Sequence, residues 1–217
     1  MKYLLILLFS VLISCDGHSQ GKKAGNQSKS DMREKINNEL AMKFEKDSDF
    51  SYKLPNGNEI YMMENPKGKS VGIQYERLPS PSFYTIYKEF YHDGFLKKKE
   101  MFLGQYTKVG ISEYYDDKGK FDTKNEDEKF GKIKPADVLK ILDKKKIINL
   151  STGEGRLDEN GNSAFTITFD ESKNEYIVTV ENGKANTNPE FGIGEPPAFI
   201  PVYYIINGET GDFKEKK

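Results

Sequence analysis

The sequence predicts an α+β protein dominated by β structure. Antiparallel hairpins and a meander carry one N-terminal amphipathic helix, and a second helix packs on a small antiparallel sheet. Three observations predict this. Apolar and aromatic residues alternate with a period of two through much of the stretch from Asp49 to Phe121, as in strands with one buried face. Clusters of Gly, Pro, Asn and Asp interrupt that stretch at short intervals, as hairpins require. Two other segments place apolar residues at helical spacing.

The first of these segments is SDMREKINNELAMKFEKD, where Met32, Ile36, Leu40 and Phe44 recur every four residues. Asp31 with Glu34 forms a candidate capping box, so a helix of about four turns is expected. The hairpin FSYKL-PNGN-EIYMM comes next, with Asn56-Gly57 supplying the positive φ of its turn. SVGIQYERL, FYTIYKEFY, FLKKKEMFLG and VGISEYYDDKGKF then read as consecutive strands. TKNEDEKFG (residues 123–131) is expected to be a charged break. KPADVLKILDKKK is a helix opened by Pro135, with Val138, Leu139, Ile141 and Leu142 on its apolar side. IINL is expected as a short strand, SAFTITFD and EYIVTVEN as a hairpin, residues 183–198 as a loop, and FIPVYYIIN as the last strand. The organisation expected is a signal over 1–14, a tether over 15–30, a helix-and-hairpin region over 31–122, an α+β module over 132–213 and a charged tail over 214–217.

The N-terminus carries the clearest functional signal. Lys2 precedes an apolar run from Leu4 to Ile13, about half of what a membrane-spanning helix needs, and a polar stretch follows it. That is the layout of a secretory signal. Leu12-Ile13-Ser14-Cys15 resembles the lipobox of bacterial lipoproteins, and Cys15 is the only cysteine in the chain. The resemblance implies cleavage before Cys15, lipidation of its thiol and acylation of its new amino group. It also implies a location in the cell envelope, anchored by lipid to a bacterial membrane, with the folded part periplasmic or surface-exposed. Several acyl chains hold firmly where one is marginal. Asp16 resembles a sorting signal.

Two weaker resemblances concern the folded part. EFYHDGFLK and EYYDDKGKF share an acid, two aromatics, an acidic turn and a glycine. Between about residues 87 and 121 they are similar to degenerate MORN-type hairpin repeats, although the paired glycines of that family are mostly missing; ordinary meander hairpins explain the stretch equally well. VYYIIN followed by ETGD resembles the end of PepSY-like modules, with Asn207 where an acid is usual. Such modules are often thought to bind or restrain other proteins.

Composition excludes some functions. With 33 basic and 34 acidic residues the formal charge is −1, unlike the net basic charge expected of a nucleic-acid binder. The 13 Tyr and 14 Phe set the chain apart from disordered ones. His18 falls in the tether and His92 in a turn, so neither a zinc site nor a Ser-His-Asp triad is expected. Asp158-Glu159-Asn160-Gly161-Asn162 alternates like a calcium loop, but Ser163 and Phe169 stand where that loop needs Gly and Glu. No cofactor, metal or catalytic residue is expected. The function expected is non-catalytic recognition of a protein partner, such as neutralising a toxin or restraining an envelope enzyme. Tyr84, Tyr87, Tyr91, Tyr114 and Tyr115 form the candidate interaction surface. The alternatives are an envelope glycan-binding module, a carboxylate-based hydrolase, and a purely structural lipoprotein.

Overall fold

The computed structural model describes residues 33–47, 49–186 and 199–216. The expected signal, Cys15, the expected tether and most of the expected loop at 183–198 lie outside the described residues. Residues 32–217 form one compact unit. It is a β-rich α+β protein built on antiparallel sheets.

The larger sheet is a seven-stranded meander whose spatial order equals its sequence order. Its strands are β1 (Tyr52–Lys53), β2 (Glu59–Glu64), β3 (Gly72–Arg77), β4 (Tyr84–Phe90), β5 (Leu96–Leu103), β6 (Thr107–Tyr115) and β7 (Phe121–Asn125). Neighbouring strands are joined by short connections, and Gly57, Gly68, Gly94, Gly104 and Gly119 supply the positive φ that five of these connections use. The charged break expected at 123–131 is different in the structure. Its first residues complete β7, every residue of which is exposed. A single 3₁₀ turn, Glu126–Lys129, follows and buries Glu126. Strand β7 forms because β6 offers it a partner from Ile111 to Tyr115, since its own sequence has no apolar face.

Helix α1 (Asn38–Lys46) is shorter than expected and starts later. Asn37, not Asp31, is the cap, accepting from the Leu40 amide. Upstream, residues 34–36 are extended and pair with the β4–β5 turn: Leu96 N donates to Glu34 O and Ile36 N to Gly94 O. Two backbone bonds to a distant hairpin thus replace a first helical turn. Leu40, Ala41 and Phe44 of α1 pack with Ile36, Ile60, Met63, Phe90 and Leu96 on one face of the meander.

Beside that cluster the same face holds a buried polar group. The Lys88 ammonium lies 2.6 Å from Glu76 and 2.8 Å from Glu34, while Asn58 and Gln74 also donate to Glu76. Burial opposes ionisation of Glu76, but these donors outweigh it and hold its pKa below the ordinary glutamate range.

The second half of the described chain contains α2 (Pro135–Lys144) and a four-stranded sheet ordered β11–β10–β9–β8. These strands are β8 (Phe165–Asp170), β9 (Glu175–Ala185), β10 (Phe199–Asn207) and β11 (Phe213–Lys216). Residues 147–150, expected as a strand, make only an isolated bridge between Asn149 and Glu154. The charged C-terminal segment, expected as a tail, pairs with β10 from Tyr203 to Ile206. Val138, Leu139 and Leu142 of α2 pack on Phe165, Ile167, Tyr176, Val178 and Ile206. Phe83, Leu103 and Val109 of the meander region join the same core. A buried hydrogen bond from Thr107 Oγ1 to Ile167 O (2.7 Å) ties the two sheets together.

Two predictions follow from this packing. Leu142 is fully buried, so Leu142→Ala should cost about 3 kcal/mol in urea denaturation. Because folding lowers the Glu76 pKa, its contribution is present above the unfolded value of 4.5 and lost as pH falls through the folded one. Glu76→Gln should therefore be less stable than wild type at neutral pH, with a flatter loss of stability below pH ~4.5 in acid titrations.

Candidate functional site

The meander's other face presents aromatic rings in a row across neighbouring strands. Tyr61 and Tyr75 have ring centres 5.9 Å apart, Tyr75 and Tyr87 4.9 Å, and Tyr87 and Phe102 6.4 Å. Register explains part of the row, because Tyr75 stands directly opposite Tyr87. Aromatic cross-strand pairs of this kind stabilise a sheet face.

Beyond the rings the face is ionic. Glu89 binds Lys97 at 2.5 Å and Lys98 at 3.0 Å, and accepts from the Tyr87 hydroxyl. Glu100 binds Lys108 at 2.6 Å and accepts from Tyr114. Glu126 holds Lys124, Lys129 and Ser112. These carboxylates are occupied in ion pairs, so they act as structural groups. Burial and the neighbouring Glu89 push the Tyr87 hydroxyl pKa upward.

At the aromatic end of this face opens a cleft of about 800 Å³. Tyr61, Tyr75, Thr85 and Phe102 line it from the sheet, Gln105 and Tyr106 from the β5–β6 turn, and residues 156–163 from the opposite wall. That wall is a tight loop. Asp158 Oδ1 accepts from the amides of Asn160 and Asn162, and Leu157 bridges to Ser163. The calcium-like spacing in the sequence is thus the spacing of an Asx turn.

Two arginines fasten the loop. The Arg77 guanidinium stacks 4.0 Å from the Tyr61 ring centre, meets Glu59 at 3.4 Å and donates to Gly161 O at 2.6 Å. Arg156 donates to the carbonyls of Leu78 and Ser82. Burial first, and then Arg77 nearby, lower the Arg156 pKa.

Of the five tyrosines singled out from sequence, only Tyr84 lines this cleft. Tyr87 and Tyr114 stand on the ionic face, bonded to Glu89 and Glu100. Tyr91 donates to Tyr115 O at 2.7 Å, and Tyr115 packs beside the α1 core. All five are half-buried. Sequence reasoning passed over Tyr61, Tyr75, Tyr106, Arg77 and Arg156. Alternation marked Tyr61 and Tyr75 only as strand residues, and nothing in the sequence connects Arg77 to a loop 84 positions away. His92 is exposed in its turn. Among the described residues no cluster of three His, Cys, Asp or Glu could hold a metal ion, and no helix is long and apolar enough to cross a membrane.

No family model, curated protein or solved structure matches this chain.

Arg77 ties the sheet to the loop through Gly161. Arg77→Ala should therefore raise hydrogen exchange at residues 157–163 several-fold while leaving that of α2 unchanged. Arg77→Lys should restore little, because a point charge cannot serve Tyr61, Glu59 and Gly161 together.

Proposed function

We propose that this chain is a non-catalytic recognition module, tethered to a bacterial membrane through a lipidated Cys15, that binds an extended segment of a protein partner in the cleft between the meander and the 156–163 loop. The observation that carries this reading is the lining of the cleft. Aromatic faces at Tyr61, Tyr75, Phe102 and Tyr106 stand beside the amides of Gln105, Asn160 and Asn162 and the guanidiniums of Arg77 and Arg156. Tyr and Arg dominate the binding energy of protein interfaces, and side-chain amides suit the donors and acceptors of an extended backbone. A secreted toxin or an envelope enzyme is the class of partner that membrane tethering would suit.

One observation favours a second reading, glycan recognition. Tyr106 is 62% exposed and sits with Gln105 at the rim, where a sugar ring could stack. Asp49 and Glu59, the carboxylates that line the cleft, are the residues a hydrolase reading would need.

In-cell crosslinking of the anchored protein, followed by mass spectrometry, tests the proposal. A stoichiometric protein partner should be captured by wild type and lost from Tyr75→Ala, with the fold intact by circular dichroism. Capture of glycan alone, or equal capture by both proteins, would overturn it. Cys15→Ser should abolish lipidation and leave the precursor uncleaved; a mature product of unchanged mass would refute the tether.

A further inference from the structure

Arg156 is a half-buried cation in the wall of the main cleft. Its visible partners are neutral. Nη1 donates to Leu78 O at 3.1 Å and to Ser82 O at 3.0 Å. Among the described residues no carboxylate is within ion-pair distance of it, and none bonds to its remaining N–H groups. Glu59, the carboxylate whose charge it senses, is engaged with Arg77. Elsewhere in this structure the opposite pattern holds: each buried carboxylate of the meander has its lysines. Arg156 also stands close enough to Arg77 to feel its charge.

A half-buried cation beside a second cation is favoured by an anion placed near it. Carbonyl dipoles compensate only in part, and a carboxylate forms shorter and stronger charge-assisted bonds with a guanidinium. Arg156 lines a space of about 800 Å³, large enough for a ligand. The rings of Tyr75 and Phe102 lie in the same space.

We infer that the cleft selects a peptide bearing an acidic side chain, whose carboxylate is received by Arg156 beside Arg77 while an adjoining aromatic or aliphatic side chain rests on Tyr75 and Phe102. This inference rests on the peptide-binding reading above and names the chemistry that the cleft selects. The proposal concerns a single carboxylate, so a densely charged polyanion is not required, and the chain's overall charge of −1 disfavours one.

The test is an NMR titration of the folded protein with two labelled peptides, one of alternating Glu and Tyr and the other with Gln replacing Glu. Wild type should bind the Glu peptide about tenfold more tightly, as expected for one charge-assisted contact in a partly desolvated site. The largest shifts should fall on the Arg156 and Arg77 side chains. Arg156→Gln should bring the two affinities together. Should that variant prove unstable in a thermal melt, the comparison on wild type still decides.

Equal binding of both peptides by wild type would overturn the carboxylate assignment while leaving peptide recognition standing. Binding of neither peptide would overturn both. Binding of an oligomer of glucuronic acid in place of the peptides would likewise reject the assignment, moving the site to acidic glycans.

Discussion

Glu100 is 2% exposed in the middle of a sheet face, and among the described residues its cover is made of side chains from the face itself. Lys98 and Lys108 reach its two oxygens, and Tyr114 donates to one of them. This constraint shapes the larger sheet. Away from the cleft this face carries ion pairs in place of an apolar core, and long side chains keep water from its strands. Lysine and tyrosine do so because their apolar stems cover the sheet while their heads bond to acids at its surface. The same solution recurs at Glu89 on neighbouring β4 and at Glu126 in the 3₁₀ turn after β7.

The opposite face shows the usual alternative. There α1 supplies the cover, and the apolar cluster from Ile36 to Leu96 needs no ions. Where α1 stops covering, polarity returns as the Glu34–Lys88–Glu76 group. The two cores therefore have different characters. One is a wedge of helix on sheet at the N-terminal end, and the other joins α2, the small sheet and one end of the meander around Leu103 and Ile167. The cleft lies where the meander's aromatic row meets the loop preceding β8, close to the seam between the two halves, where backbone geometry is set by more than one layer.

Much of this architecture is legible in the sequence. Alternation in GIQYER and YTIYKEF, with turn residues between strands, is enough to give consecutive antiparallel strands, and the Pro135 start of α2 is equally plain. The parts that escape are those whose cause is tertiary. Phe121–Asn125 and Phe213–Lys216 carry no strand pattern of their own and become strands because β6 and β10 offer free edges. Residues 33–36 fit a helical period, but their backbone pairs with Phe95 and Leu96. The cleft was least legible, because Arg77, Tyr61 and Gly161 meet only after the chain has folded back across the aromatic face. Tyr87 and Tyr114 show the converse: aromatic content marked them as surface, while their hydroxyls belong to the ionic network.

The extended strap at residues 33–36 has a mechanical side. A pull applied at Arg33 enters the folded unit through this strap. It is held by two backbone bonds to Gly94 and Leu96, by Glu34 on Lys88, and by Arg33 and Lys35 over the Phe95 ring. Ile36, buried at its end, acts as a stop. Load is thus spread into the β4–β5 hairpin at the middle of the meander before it reaches α1.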